Sequence, residues 1–446
     1  MKQILWIVAL LAAPATYAQT GQFIKDSRHQ CLIWDEDYSP KDSVTWTGSC
    51  KNGHASGTGI LTWYQDNKTV GAYTGIMADG KPNGQGTYVI PGYATLKGTF
   101  ADGVLHGKGA AYFENGGKTI GNFVKGNFLN LDDKYLALLK KYDISQDSTD
   151  IYVNDNGAGK LFYYTLVPQG KINAVLILFP STGETAENVI SCNKALMQQA
   201  WNNHILTVVV SANYNKGLET DQPALTFFEA VFKDLIIRFK APKDKFILSG
   251  LSLGGENALQ YTEMSRNQKY NTLIKPLATI GIDPPVDMAD LYYNAQKQIP
   301  LYEKEGAALS ESKKLALTEA HFLMDYFHIQ YGGSPDEFPE KYIAASQFSR
   351  NQEDGGNAKY LVDVPVRLYC DPDIVWQLKN KARDYYTMNA ANLSAMANFL
   401  MQHGSTKVEF IPAVGKGFRV DGTRHPHSWS IVDADDCIRW ILQLAK

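Results

Sequence analysis

Four glycines recur at one fixed set of offsets in the first third of this 446-residue chain. Gly48, Gly53, Gly57 and Gly59 return as Gly75, Gly80, Gly84 and Gly86, then as Gly98, Gly103, Gly107 and Gly109, with offsets of 0, 5, 9 and 11 in every copy. A fourth copy opens at Gly121 and Gly126 and then stops, and the copies start 27, 23 and 23 residues apart. Around them apolar residues alternate: Trp46 and Tyr73 stand two before the first glycine, and Cys50, Met77, Phe100 and Phe123 two after it. Such a unit reads as a β-hairpin, since glycine takes positive φ at a tight turn and alternation gives one buried face. A lone hairpin cannot bury that face, so the copies must stack side by side.

The glycine spacing over residues 44–130 resembles the MORN repeat (membrane occupation and recognition nexus). The resemblance implies an elongated, curved antiparallel sheet used for contacts with proteins or lipids. The stretch carries seven Lys and four acidic residues, too mild an excess to argue lipid binding on charge. The reading is therefore a scaffold or protein-partner surface, with a membrane surface or a cell-surface glycan as alternatives. Residues 19–43 form a segment ahead of the repeats, and residues 131–145 read as a linker. Asn154-Asp155-Asn156-Gly157 suggests a hairpin opening a second domain over 146–446.

Residues 1–18 read as a signal peptide. Lys2 gives a basic start, residues 4–13 are apolar, Pro14 breaks them, and Thr16 and Ala18 suit the positions before a cleavage site. Ten apolar residues are too few to span a bilayer as a helix, and no Cys follows them for lipid attachment. The expectation is export to the periplasm or beyond. Export permits disulfides, and of five cysteines Cys31 and Cys50 lie close together at the entry to the first repeat and are the favoured pair. None of the five has zinc-ligand spacing, and neither a metal nor a cofactor is expected. A net charge of −3 gives no case for a nucleic-acid partner.

Beyond residue 145 the periodicity changes. Short β-branched runs at 174–179, 205–211, 246–248, 277–282, 366–370 and 408–411 alternate with helical stretches. The clearest of these, 224–240, lines Phe227, Phe228, Val231, Leu235 and Ile236 along one face. Apolar strands alternating with helices predict a mostly parallel sheet covered on both faces. A helical insert over about 287–361, rich in Tyr and Phe, separates two of the strands and has the place and size of a cap over a substrate pocket.

One strand runs into Gly250-Leu251-Ser252-Leu253-Gly254, followed at once by helix-forming residues. G-x-S-x-G between strand and helix needs small residues two before and two after the serine, because backbone segments crowd there. The turn lifts the serine oxygen above the sheet. This segment resembles the nucleophile elbow of the α/β-hydrolase superfamily, and the resemblance covers about 145–446. It implies a serine hydrolase, esterase-like, with chain order Ser, acid, His. A serine hydroxyl needs a base, and the base an orienting carboxylate.

His427, in Arg424-His425-Pro426-His427-Ser428-Trp429, follows the last strand and resembles the His-x-Trp of esterases of this fold; His425 is the weaker choice. His321, His328 and His403 read as surface, packing or cap residues. For the acid, Asp373 in Asp371-Pro372-Asp373 takes the place after the strand 366–370, with Asp371 and Asp283 as alternatives. The oxyanion donors expected are the backbone N–H of Leu253 and that of Ser181 or Thr182, in the loop after 174–179. The substrate is expected to be a small ester or, as the runner-up, a peptide. A different class is an inactive hydrolase-like binding protein whose repeat sheet carries the function.

Overall fold

A computed structural model of the chain describes residues 21–144, 161–211, 218 and 220–446. The signal-peptide reading and the hairpin read at 154–157 lie outside the described residues. The chain divides into two units, the first holding, among the described residues, 21–137 with Ile190–Lys194 and Val420–Thr423.

The first unit is one eleven-stranded sheet. Its opening strands are β1 (Gln22–Lys25), β2 (Leu32–Asp35), β3 (Asp42–Trp46) and β4 (Ser49–Lys51). The repeats supply β5 (His54–Gln65), β6 (Lys68–Ala78), β7 (Lys81–Ile90), β8 (Ala94–Ala101), β9 (Val104–Phe113), β10 (Lys118–Val124) and β11 (Asn127–Phe128). From β5 to β11 each strand pairs antiparallel with the next. The sheet thus starts before the repeats, with β1 and β2 in the segment 19–43.

Register explains the repeat. Gly59 faces Gly75, Gly75 faces Gly86, Gly86 faces Gly98, Gly98 faces Gly109 and Gly109 faces Gly121, a row of glycines across six strands. Aromatic rings lie on that row. A Cβ at Gly86 would stand 2.4 Å from the buried ring of Tyr73, and one at Gly59 would stand 2.6 Å from that of Trp46. The glycine at offset 5 serves the turn: Asp79 and Gly80 have φ of 49° and 77°, the two positive values a two-residue hairpin turn requires. Trp46, Leu61, Tyr73, Tyr88, Phe100 and Phe123 form the core on one face. The opposite face leaves Ile60, Val70, Ile76, Val89, Tyr112 and Ile120 exposed. Cys31 and Cys50 are joined by a disulfide, as expected from the sequence, with Cα atoms 5.7 Å apart.

The second unit is an eight-stranded sheet. Its strands are β12 (Lys140–Asp143), β13 (Phe162–Leu166), β14 (Ala174–Phe179), β15 (Ile205–Val210), β16 (Phe246–Leu251), β17 (Ala278–Ile282), β18 (Val366–Cys370) and β19 (Val408–Pro412). They run in the order β12-β13-β15-β14-β16-β17-β18-β19. The pairings of β12 with β13 and of β13 with β15 are antiparallel, and the rest are parallel. Every residue of β14 to β18 is buried, which requires cover on both faces. Part of the stretch read as a linker, residues 140–143, is therefore an edge strand, and Tyr142 packs against the core of this unit.

The helices are α1 (Asp133–Leu138), α2 (Ala186–Cys192), α3 (Lys194–Asn202), α4 (Gln222–Phe239), α5 (Leu253–Arg266) and α6 (Met288–Glu303). After them come α7 (Glu311–Tyr331), α8 (Pro339–Ala345), α9 (Ile374–Lys381), α10 (Asn389–Gln402) and α11 (Ala434–Leu444). Asp221 caps α4 by accepting the Ala224 N–H, and Phe227, Phe228, Val231 and Leu235 enter the core as the periodicity predicts. Between β17 and β18, helices α6, α7 and α8 build a core of their own from Tyr292, Tyr326, Phe327, Tyr331 and Tyr342. Those rings meet mostly edge to face, so the aromatics of the insert pack on one another.

Candidate active site

The last residue of β16 is Leu251 and the first of α5 is Leu253, so one residue makes the whole turn. That residue, Ser252, has φ 55° and ψ −123°, a conformation costly to a side-chain-bearing residue and typical of functional strain. Its N–H donates to the Ile282 carbonyl (2.9 Å) and its own carbonyl accepts the Glu256 N–H (3.0 Å). The flanking glycines are needed for space. A Cβ at Gly250 would lie 2.1 Å from the Gly254 carbonyl carbon, and one at Gly254 would lie 2.0 Å from the Phe179 oxygen. The helix start is thus pressed against the ends of both β16 and β14.

Leu251 and Ile282 are register partners on the parallel strands β16 and β17. The residues that follow them, Ser252 and Asp283, therefore leave the sheet side by side. Asp283 is buried, its N–H donates to the Tyr369 carbonyl (2.8 Å), and its own carbonyl accepts Nδ2 of Asn389 (2.8 Å). Its carboxylate Oδ2 lies 2.7 Å from Nδ1 of His427. A carboxylate there holds the proton on Nδ1 and leaves Nε2 as the basic nitrogen.

Asp373, first choice from the sequence, does not bond His427. Its Oδ1 caps α9 by accepting the Trp376 N–H (2.9 Å), and its Oδ2 pairs with Arg424 (2.8 Å). The Trp376 N–H bond, with the Arg424 charge, holds the carboxyl below the usual range. Asp371 is buried and accepts the Gly415 and Gly417 N–H groups (3.0 and 2.8 Å). Both carboxylates follow β18, whereas the one that meets the imidazole follows β17.

The loop after β14 also departs from expectation. The Ser181 N–H donates to Oε2 of Glu184 (2.9 Å), so this amide is already committed. Glu184 further accepts Nε1 of Trp429 (3.0 Å) and Nδ2 of Asn188 (2.7 Å), and burial raises its carboxyl against the pull of these donors. Thr182 is exposed, and Leu253 opens α5, whose first N–H groups have no carbonyl within the helix to bond. Glu184 was missed in the sequence; a Trp two residues after the His, carrying an N–H that needs an acceptor when buried, was the available signal.

The other histidines hold structural places. His425 donates from Nδ1 to the His427 carbonyl (3.1 Å), and its ring meets Trp376 edge-on at 5.0 Å. Burial first, then the neighbouring Arg419, His427 and Lys381, push it down to about 3. His328 and His403 bond carbonyls one turn back in their own helices, and His321 lies 3.4 Å from Glu303.

Residues 73–95 and 97–118 match the family model described as MORN repeat. The central hairpins of the first sheet thus carry the match to the MORN repeat. Among curated protein sequences none matches the chain significantly. Solved structures similar to it include carboxyl esterase 2 of Tuber melanosporum, 14% identical, covering 71% of this chain and 87% of that one at a TM-score of 0.42. An esterase of Pyrobaculum calidifontis is also 14% identical, with 69% and 83% covered and a TM-score of 0.40. A fluorophosphonate-binding serine hydrolase of Staphylococcus aureus is 11% identical, with 69% and 98% covered and a TM-score of 0.38. The MORN sheet and the elbow-bearing sheet thus belong to separate units of one chain.

Proposed function

We propose that the chain is a serine hydrolase that cleaves a carboxylic ester through an acyl-enzyme on Ser252, with His427 as base and Asp283 as its orienting acid. The observation that carries this reading is the 2.7 Å bond between Asp283 and His427, made at the strand end beside the strained Ser252. Nε2 of His427 takes the Ser252 hydroxyl proton as Oγ adds to the ester carbonyl. The N–H groups of Leu253 and Thr182 stabilise the oxyanion, and the imidazolium returns its proton to the departing alkoxide. Water then repeats the cycle on the acyl-enzyme, losing its proton to His427. The helices between β17 and β18 form the wall of the acyl pocket in this reading.

A fluorophosphonate probe tests the proposal. It labels the native protein at Ser252 and fails on Ser252→Ala; an unlabelled native protein sinks the reading. A panel of p-nitrophenyl esters against aminoacyl-p-nitroanilides assigns ester or peptide preference, and the ester is expected to be faster.

Export belongs to the same proposal. The Cys31–Cys50 disulfide suits an oxidising compartment, and the mature protein is expected to lack residues 1–18 by intact-mass measurement. The exposed face of the MORN sheet, with Ile60, Val89 and Tyr112, is proposed to bind a protein partner. Cross-linking with the full chain, with and without Ile60→Asp, checks it.

A further inference from the structure

Three charged side chains beside the site have no part in the proton path, yet they organise the loop that ends in His427. Asp371 and Asp373 follow β18, and Arg424 stands three residues before His427. One guanidinium nitrogen of Arg424, Nη2, lies 2.8 Å from a carboxylate oxygen of each aspartate. Its Nη1 donates to the Gly417 carbonyl (2.6 Å). The Asp371 side chain is wholly buried, and its two oxygens collect the Gly415 and Gly417 N–H groups from the outgoing arm of the loop. The returning arm closes on the same glycine, since the His425 N–H donates to the Gly417 carbonyl (3.0 Å). The two arms pass so near that a Cβ at Gly417 would lie 2.5 Å from the His425 oxygen.

From Asp373 the network continues into α9, through the Trp376 N–H, and the Trp376 ring packs against His425. His425 in turn holds the His427 carbonyl (3.1 Å). Every link ends one step from the imidazole. A buried carboxylate, a second carboxylate and a planar guanidinium make charge-assisted bonds whose direction is fixed, which suits the holding of a long loop in one conformation.

We infer that Arg424, clamped between Asp371 and Asp373, is a positioning residue that sets the loop so that His427 meets Asp283. This rests on the proposed role of His427. The carboxylates after β18 thus do a different job from the one their place suggests: they anchor the base rather than orient its proton.

Kinetics with p-nitrophenyl acetate on the full chain test the inference. Arg424→Met removes the guanidinium while keeping much of the stem. It is expected to lower kcat about 100-fold with KM within about 3-fold, the effect of misplacing a reacting group by about 1 Å. Arg424→Lys keeps the charge but not the planar fork, and restores only part of that loss. A downfield Nδ1 proton resonance of His427 is expected in the native protein from its bond to Asp283, and it is expected to broaden or vanish in Arg424→Met. A merely structural residue would not move it while the fold persists. Should Arg424→Met not fold, Asp373→Asn decides, because Asn still caps α9 while losing the charge that faces Arg424. It is expected to lower kcat about 10-fold. Arg439→Met, at an exposed pair with Asp436, serves as the control with native kinetics. Native kcat in Arg424→Met, or in Asp373→Asn where only that variant folds, overturns the clamp, as does an unaltered His427 resonance in a slowed variant. Failure of the underlying reading looks different: native protein that takes no fluorophosphonate label leaves His427 without the role and overturns both.

Discussion

Asp283 and His427 are 144 residues apart in the chain and 2.7 Å apart in space, joined carboxylate to Nδ1. Their meeting follows from two placements: one residue leaves the end of β17 and the other sits in the loop after β19. The order of mutational effects at the candidate acids follows from it.

Asp283→Asn is expected to lower kcat/KM on p-nitrophenyl acetate by about 10³–10⁴, because the amide favours the wrong imidazole tautomer. Asp373→Asn should cost about 10-fold, since it acts only through Arg424. Should the two effects come in the opposite order, Asp283 is not the orienting acid.

Gly254→Ala places a methyl carbon 2.0 Å from the Phe179 carbonyl oxygen, with backbone on both sides and little room to yield. A loss of about 3 kcal/mol or more in urea unfolding, or failure to accumulate as soluble protein, is expected. Gly422→Ala is the comparison. Nothing lies within 4 Å of its added carbon, and its φ of 84° alone carries the cost, about 1–2 kcal/mol. Similar losses in the two variants would mean that the elbow tolerates a side chain.

His425 gives an acid limb to stability. Its native pKa of about 3 lies below the ordinary value near 6.5, so the unfolded chain takes up the proton first. The neutral ring therefore contributes fully above pH 6.5, and that contribution is lost as pH falls toward 3. The slope is at most about 1.4 kcal/mol per pH unit. His425→Asn, which retains a donor near the Nδ1 position and does not titrate, should show a smaller drop in Tm between pH 7 and pH 5 than the native protein. Equal drops would contradict the buried neutral ring.

The disulfide closes a sequence separation of 19 residues at the start of the first sheet. In the chain-entropy account a loop of this length stabilises by about 3 kcal/mol. Cys31→Ser with Cys50→Ser, or reduction, should lower the unfolding transition of the repeat unit while the second unit keeps its own. Proteolysis at rising temperature, read by which fragment survives, separates the two.

The repeat and the elbow were legible in the sequence because both are set by local crowding. Tyr73 lies over Gly86 and the Phe179 carbonyl lies against Gly254, so no other residue fits. The Cys31–Cys50 bridge was legible from spacing in the same way. Which carboxylate meets His427 was not, because Asp283, Asp371 and Asp373 all follow strands, and only the course of a later loop decides it. A clue was present in Arg424: a cation three residues before His427 claims nearby carboxylates, and it claims the pair after β18. The partner of the Ser181 amide was not legible for a similar reason. Its occupant, Glu184, is a neighbour in sequence, but a side chain's direction is not written in spacing.

Glycine meets glycine on every strand from β5 to β10, and the boundaries between the copies that start at Gly75, Gly98 and Gly121 share one unshifted register. Excising one 23-residue copy would rejoin matching edges, whereas a deletion of odd length within a strand would turn its core side chains toward water. Whole copies are thus alike at their edges, and their number sets the length of the apolar strip that this sheet turns outward.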